Sequence, residues 1–227
     1  ILGDYNRENN MNRLTEFLGV RFLKGVVVNP NEYVSPTILP ARFTKESAER
    51  YPQYSKCYEY GFEVAQPTAQ ALDYAAVTDF EVVPVLVSDT TAWIEYETTD
   101  FVDGEFVCNP DAGEKKGVYT TMLTLQRKVG NKDQRIVISG DADMISNEAL
   151  TSQYTNINAT NYTIITGSFR WLSYEEFPIN TQRLSYNDNR LLLPKGYRNW
   201  VNWGGMIVFP LLIALCGVLL IVRRQRK

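Results

Sequence analysis

Histidine is absent from the 227 residues, and this absence excludes several common kinds of active site. Without an imidazole there is no Ser-His-Asp triad, no histidine-ligated metal and no histidine general base. The G-x-S-x-G, P-loop, G-x-G-x-x-G and C-x-x-C patterns are missing as well. We therefore predict no catalytic residue and no cofactor.

Basic residues are also few. A formal net charge of −3 argues against nucleic acid as a partner, because phosphate binding needs a basic surface.

Cysteine occurs three times, at Cys57, Cys108 and Cys216. Cys57 and Cys108 either form one disulfide in an oxidising compartment or stay free, since their spacing in the chain does not give their distance in space.

The clearest positive feature is a long uncharged segment near the C-terminus. Met206 to Val222 read MIVFPLLIALCGVLLIV, and a bilayer core of about 30 Å needs roughly 20 apolar residues in a helix. A buried core helix is the alternative, but such a helix seldom sits at a chain end and continues directly into basic residues. We predict a transmembrane helix over residues 200–222. Its lipid-facing anchors are Trp203, Met206, Phe209, Leu215 and Val222.

A basic tail follows this segment and predicts its orientation. The cations of the tail are Arg223, Arg224, Arg226 and Lys227. Lys and Arg that flank a span stay on the cytoplasmic side, so the tail is expected inside and residues 1–199 on the periplasmic side of the inner membrane. The N-terminus, ILGDYNRENNMNRL, has no signal-peptide pattern. We therefore expect the chain to be the C-terminal piece of a longer protein.

Strand and helix signals alternate along residues 1–177. Gly25–Asn29 and Val82–Ser88 are apolar, β-branched runs typical of strands that are buried on both faces. Tyr58–Ala65 and Ala75–Thr78 are further predicted strands. Helices are predicted over residues 9–19, over Thr44–Arg50 with Thr44 as N-cap, near Ser146 and over Asn161–Tyr174. This pattern predicts an α/β fold with a mainly parallel sheet sandwiched by helices.

Several prolines and one hairpin modify this prediction. Residues 30–42 carry three prolines and are predicted to be loop, while Pro84 weakens its strand or places it at a sheet edge. Val118–Val129 alternates regularly, and Gly130-Asn131 joins it to Arg135–Ser139 as a hairpin. The predicted organisation is an α/β domain over 1–177, a polar linker over 178–199, the membrane helix over 200–222 and the tail over 223–227.

Acidic residues are the only candidates for a metal-binding or catalytic site, and they are weak candidates. Asp141 and Asp143 follow an apolar strand and precede a helix, where two carboxylates could bind Mg²⁺ or Ca²⁺. The same residues also suit capping of the next helix, together with Ser146 and Asn147, and we favour capping. The other scattered acids are expected on a solvated surface. They are Asp4, Glu16, Asp89, Glu95, Glu97 and Asp100.

Five stretches and the terminal helix together resemble a known family. The stretches are LGDYNRENNMNRLTEFLGVRFLKGVVVNP, SPTILPARFT, PVLVSDTTAWIE, GEKKGVYTTMLTLQRKVGNKDQRIVISGDADMISNEAL and FRWLSYEEFPINTQR. In this order they resemble the C-terminal extracytoplasmic part of GldG-like auxiliary components of ABC transporters, which are named for gliding motility. The resemblance is strongest to versions fused to an ABC exporter permease in Bacteroidetes, and RIVISGDADMISN is its most specific segment.

The resemblance implies a fold, a location and partners. The fold would be related to class I glutamine amidotransferases without their catalytic Cys and His, with the first strand and helix of the family pattern missing before Ile1. The implied partners are an ABC permease and a cytoplasmic ATPase. The chain would be a non-enzymatic, membrane-anchored auxiliary component that couples a periplasmic domain to the permease, in export or in gliding motility. The alternative is an anchored metal- or carbohydrate-binding enzyme that uses Asp141 and Asp143.

Overall fold

A computed structural model describes residues 1–29, 35–75, 79–98, 100–101, 104–151, 159–177, 197 and 203–226. The chain divides into two compact units, Ile1–Ile179 and Asn180–Lys227. The first unit holds a sheet with several helices, and the second holds an apolar helix.

The strands of the first unit are short except for one hairpin. They are β1 (Val20–Phe22), β2 (Val26–Val28), β3 (Ile38–Phe43), β4 (Glu63–Pro67), β5 (Leu72–Tyr74), β6 (Glu81–Val87), β7 (Trp93–Glu95), β8 (Thr120–Val129) and β9 (Lys132–Ser139). Five of them form one sheet in the order β4-β3-β6-β8-β9, while β1 pairs with β5 and β2 pairs with β7.

The helices lie between these strands. They are α1 (Glu8–Thr15), α2 (Lys45–Arg50), α3 (Pro52–Glu59), α4 (Asn147–Thr151) and α5 (Asn161–Leu172), with α6 (Phe209–Gln225) in the second unit. Short 3₁₀ turns cover Glu16–Leu18, Pro110–Ala112 and Asp143–Ile145. Thr44 is the N-cap of α2 as predicted, because its Oγ1 accepts a hydrogen bond from Ser47 N at 3.0 Å.

The predicted fold class is wrong. Every pairing between the named strands is antiparallel, so this is not a parallel sheet of the glutamine-amidotransferase kind sandwiched by helices. Parallel pairing among the described residues is confined to two isolated bridges, Leu2 with Ser139 and Glu63 with Ala159. The apolar strands are nevertheless buried on both faces, as their sequence pattern predicted.

Two hydrophobic cores on opposite faces of the sheet explain those runs. The larger core packs Tyr54 of α3 and Ile164 of α5 against strand residues such as Val85 and Met122. The second core packs the β1–β5 pair against Leu123, Leu125 and Ile138 of the hairpin. Because consecutive side chains of a strand point to opposite faces, β8 contributes Met122 to one core and Leu123 to the other.

The β8–β9 hairpin confirms its prediction. The two strands pair without a break from Met122–Ser139 to Val129–Lys132, and Gly130 has the positive φ of 62° that the tight turn requires. Helix α5 also forms where it was predicted, although it ends at Leu172, two residues before the expected Tyr174.

Two prolines lie within strands of the five-stranded sheet, one of them in a segment predicted to be loop. Pro40 lies within β3, although residues 30–42 were predicted to be loop, and Pro84 lies within β6, which is central and not an edge strand. β3 and β6 pair with each other only at Arg42–Phe43 and Leu86–Val87. Each proline therefore has a sheet neighbour on one side only, and its missing N–H leaves no ladder hydrogen bond broken. A register shift follows Pro84 in β6.

Two other predicted strands have different outcomes. Tyr58–Ala65 is not one strand, because α3 continues to Glu59 and β4 begins only at Glu63. Pro52 starts that helix in its first turn, and Gly61 turns the chain with a φ of 64°. The predicted strand at Ala75–Thr78 lies largely outside the described residues, although β5 ends just before it at Tyr74.

The cysteines are all free. Cys57 is buried in the larger core, Cys108 packs beside a third cluster around Trp93, and Cys216 is exposed on α6. The disulfide that the sequence left open between Cys57 and Cys108 is therefore not formed.

Gly140 gives a test of how tightly the end of β9 is packed. Its N–H donates to Thr121 O and its C=O accepts from Gln70 N, and a Cβ at this position would lie 1.9 Å from Gln70 O. We expect Gly140→Ala to lower the free energy of unfolding by about 1–3 kcal/mol, the usual range for overpacking.

Urea unfolding monitored by circular dichroism measures this difference. The matched control is Gly117→Ala, since a Cβ at Gly117 meets nothing within 4 Å. Equal effects of the two substitutions would contradict the packing described here.

Candidate functional site

The segment from Ser139 to Ile145 holds the two acids that the sequence singled out. Asp141 is buried, with only 2% of its surface exposed, whereas Asp143 is exposed. Asp141 Oδ1 accepts a hydrogen bond from Asp143 N at 2.8 Å. This is an Asx turn that precedes the 3₁₀ turn Asp143–Ile145, whose N-cap is Ala142, so Asp141 does not cap the next helix as was expected. The cap of α4 is Ser146, whose Oγ accepts from Ala149 N at 3.1 Å.

The environment of Asp141 favours its neutral form. The pKa of Asp141 is raised to about 8, chiefly by burial and also by the carboxylates of Asp143 and Asp4, while hydrogen bonds from the backbone of Asp143 and Met144 oppose this rise. Its Oδ2 is buried and has no partner among the described residues. A carboxyl that is mostly protonated near pH 7 is a poor ligand for Mg²⁺ or Ca²⁺, which bind anionic oxygens.

Side-chain amides fix the surroundings of this segment. Asn161 Oδ1 accepts a hydrogen bond from Ala65 N at 3.0 Å, and Asn161 Nδ2 donates to Ala65 O at 2.8 Å. The same Nδ2 donates to Met144 O at 3.0 Å. Gln66 accepts from Thr121 Oγ1 at 2.6 Å. These buried bonds join β4, β8, α5 and the 3₁₀ turn. Across the described residues, no group of three or more His, Cys, Asp or Glu side chains could hold a metal ion.

A second group of acids was predicted to lie on the solvated surface, and for Glu95 this is wrong. Glu95 is 4% exposed, and its carboxylate accepts hydrogen bonds from Trp93 Nε1, Glu97 N and Thr98 N at 3.0–3.2 Å. Burial alone would raise the pKa of Glu95, but these hydrogen bonds outweigh it and lower the pKa.

Glu114, which the sequence did not single out, is buried in the same region. Its two carboxylate oxygens accept from Tyr96 N at 3.0 Å and from Asn109 N at 2.6 Å. Asp89 likewise organises a turn, since it accepts from Thr91 N, Ala92 N and Asn29 Nδ2. These carboxylates hold loops by binding backbone N–H groups, and nothing in the local pattern of acids distinguishes them from surface residues.

An apolar groove lies between β9 and α5. It has a volume of about 300 Å³, and we call it the β9 groove. Its apolar lining includes Leu2, Val137, Ile145, Ile165, Phe169 and Leu172. Phe169 is 58% exposed although it is a large apolar residue, and Ile145 and Leu172 are also exposed. The apolar side of α5 formed by Ile165, Phe169 and Leu172 is thus only partly covered.

Arg135 closes one end of this groove and ties β9 to α5. Its guanidinium donates to Trp171 O at 2.6 Å and lies 3.5 Å from Asp133 Oδ2. It is also 5.4 Å from the centre of the Trp171 ring and 4.0 Å from that of Tyr174, which is cation–π geometry. The hydroxyl of Tyr174 donates to Asp133 O.

The second unit contains the predicted anchor. Residues Gly204–Gln225 form a helix of 22 residues with a mean hydropathy of 2.9 and no burial, about 33 Å long at 1.5 Å per residue. It is long and apolar enough to cross a membrane. The predicted anchors Trp203, Met206, Phe209, Leu215 and Val222 are all exposed. Its first turn, Gly204–Val208, is π-helical and directly precedes Phe209-Pro210, where the proline ring would crowd a regular helix.

The basic tail continues from this helix. Arg223 and Arg224 lie in its last turn and Arg226 follows as the C-cap, whereas Lys227 lies outside the described residues. The predicted start at Trp200 and the linker over 178–199 also lie outside them, apart from Tyr197 in that linker.

Comparison with known proteins found no matching protein-family model, no matching curated protein and no matching solved structure. No known structure or family therefore supports the fold described above, which rests on the geometry of this chain alone. The resemblance to GldG-like components rests only on the sequence segments named for it.

The raised pKa of Asp141 predicts a pH-dependent stability. Because the folded state keeps a proton that the unfolded state loses above its ordinary pKa of 3.8, the contribution of Asp141 to stability is greatest below about pH 4. It falls as the pH rises toward about 8, by at most about 1.4 kcal/mol per pH unit. Asp141→Asn keeps the Oδ1 acceptor for Asp143 N and removes the titration, so the stability of this variant should change less with pH.

Urea unfolding at several pH values between 4 and 8 measures this, with Asp111→Asn as the control because Asp111 is exposed. Parallel pH profiles for the Asp141 variant and the unmodified chain would refute the assignment.

Proposed function

We propose that this chain is a non-enzymatic, single-span auxiliary component of an ABC-type transport complex, with its sheet domain on the extracytoplasmic side. The observation that carries the proposal is the Gly204–Gln225 helix. It is apolar on all sides and unburied, and in water such a surface would be strongly unfavourable. A bilayer is the environment that suits it.

The orientation is supported by charge. Arg223, Arg224, Arg226 and Lys227 follow the helix directly, and short basic flanks of a span stay cytoplasmic. The part of the chain before Arg223 has 19 basic and 26 acidic residues, a formal charge of −7. An acidic domain has no electrostatic attraction to anionic lipid headgroups, so the helix and its tail supply the attachment.

A binding role suits the domain better than catalysis. Its buried carboxylates at Glu95 and Glu114 each accept backbone hydrogen bonds that hold loops in place. Asp141 accepts a backbone hydrogen bond from Asp143 N and is shielded from solvent, while Asp143 is exposed. The alternative of a metal- or carbohydrate-dependent enzyme at Asp141 and Asp143 has no further residue to support it among those described.

The ABC permease and the ATPase enter as proposed partners through the sequence resemblance. The segment RIVISGDADMISN, its most specific part, forms most of β9 and the 3₁₀ turn after it. The amidotransferase-like fold that the resemblance also implied is absent, so the partners rest on the matched segments and on the membrane anchor. The domain would then couple to the permease outside the membrane while the ATPase works inside.

The proposed orientation predicts where a membrane-impermeant maleimide reacts in cells. In a background with the native cysteines replaced, Asp111→Cys should be labelled in intact cells once the outer membrane is permeable. Arg226→Cys should be labelled only after the inner membrane is lysed. The reverse pattern would overturn the orientation, and labelling of both sites in intact cells would overturn the single span.

Partner recovery tests the ABC assignment. Purification of the chain in mild detergent from its native membranes should bring down a permease and an ATPase in comparable amounts, identified by mass spectrometry. A control chain in which Gly204–Val222 is replaced by a Leu/Ala helix of equal length separates anchoring from specific contact within the membrane. Recovery of the chain alone, or with proteins of another class, would refute the assignment.

A further inference from the structure

We infer that the first unit binds a neutral carbohydrate in a polar pocket beside the C-terminal end of α5. The pocket has a volume of about 270 Å³, and its walls come from the start of α3, from β8 and β9 and from the turn after α5. We call it the Trp171 pocket. The inference concerns binding and not catalysis, and it holds whichever membrane complex the chain serves.

Aromatic rings form one part of the lining. They belong to Tyr51, Trp171 and Tyr174. The Arg135 guanidinium lies 4.0 Å from the centre of the Tyr174 ring and covers one face of it, but half of Tyr174 is still exposed to a ligand. The face of an aromatic ring is electron-rich. It attracts the weakly positive C–H groups that a pyranose ring presents on its apolar face.

Planar polar groups form the rest of the lining, apart from Pro52. They are the side chains of Arg50, Gln53, Gln126, Arg135 and Glu175. Gln126 Oε1 accepts from Arg50, and Gln53 Nε2 donates to Gly167 O. Gln126 Nε2 and Gln53 Oε1 have no partner among the described residues, so the pocket offers both a donor and an acceptor. Each hydroxyl of a sugar can use either one.

The charges around the pocket are already paired, which favours a neutral ligand over an anion. Arg50 Nη2 lies 3.3 Å from Glu81 Oε2, and Arg135 Nη2 lies 3.5 Å from Asp133 Oδ2. A carboxylate or phosphate would have to compete with these side chains for both guanidinium groups. The carboxylate of Glu175, which also lines the pocket, would repel it.

The shape and composition of the lining also argue against two neutral classes of ligand. No aliphatic side chain is found among the described residues that line the pocket, which disfavours a lipid chain. The rings of Tyr51 and Trp171 meet edge to face, with centres 5.6 Å apart and an angle of 70° between them. They therefore form no parallel slot for a flat nucleobase. A sugar ring, with one apolar face and polar edges, matches the lining better than either.

The turn after α5 holds two of the lining residues in a strained backbone conformation. The φ angles of Tyr174 and Glu175 are 56° and 70°, in the left-handed region that residues other than glycine seldom adopt. Glu175 N donates to Arg170 O at 2.7 Å, and the Tyr174 hydroxyl donates to Asp133 O. Strain of this kind persists where the surrounding structure fixes it, and it is concentrated at ligand sites.

Glycan binding by the full chain provides the test, in micelles of lauryldimethylamine oxide because this detergent has no sugar headgroup. A microarray of neutral and acidic glycans identifies the ligand, and calorimetric titration with the free glycan gives its Kd. We expect a neutral glycan to bind. Tyr174→Ala removes the stacking ring and Gln126→Ala removes the amide, and each should weaken binding by about tenfold or more.

Two further variants serve as controls. Tyr174→Phe keeps the ring and should retain most of the affinity that Tyr174→Ala loses. Tyr162→Ala should leave the Kd unchanged, since Tyr162 is exposed on α5 and does not line the pocket. Circular dichroism shows which variants are folded. If Tyr174→Ala does not fold, Gln126→Ala alone decides.

Several results would overturn the inference. They are the absence of binding to any neutral glycan, binding of acidic glycans or free adenosine alone, unchanged affinity in the folded pocket variants, and an equal loss in Tyr162→Ala. Because the glycans are tested without a permease or ATPase, this result is independent of partner recovery from membranes.

Discussion

Strand β8 carries the backbone hydrogen bonds on which the rest of the first unit depends. Over ten residues it pairs with β6 on one side and with β9 on the other. It also sends alternate side chains into the two cores, with Met122 toward α3 and α5 and Leu123 toward the β1–β5 pair. Loss of its register by one residue would exchange the two sets of side chains, so both layers are specified through this strand.

Local sequence patterns do not show whether neighbouring strands run parallel or antiparallel. Apolar runs such as Val82–Val87 show that both faces of a strand are covered, and helices on both faces of a parallel sheet are the usual cause. Here helices cover one face and a two-stranded ribbon covers the other, which gives the same burial in an antiparallel sheet. By contrast, the hairpin at Gly130-Asn131, helix α5 and the apolar helix of the second unit depend on residues close in the sequence, and the sequence predicts them.

The candidate sites divide in the same way. The sequence predicted that Asp141 and Asp143 cap the next helix, whereas Asp141 organises an Asx turn and Ser146 caps that helix. The burial of Glu95 and Glu114 depends on backbone N–H groups of loops that are distant in the sequence or irregular in shape. The β9 groove could not be predicted from the sequence. Its position depends on the edge position of β9, on the pairing of residues 1–3 and on the placement of α5, and a prediction would need all three.

The free cysteines set the conditions under which the first unit can fold. Cys57 and Cys108 pack in separate clusters, one inside the larger core and one beside Trp93. No disulfide has to be made or reshuffled for the sheet and its helices to assemble. Neither a cellular oxidant nor a thiol reductant should control the yield of the native domain.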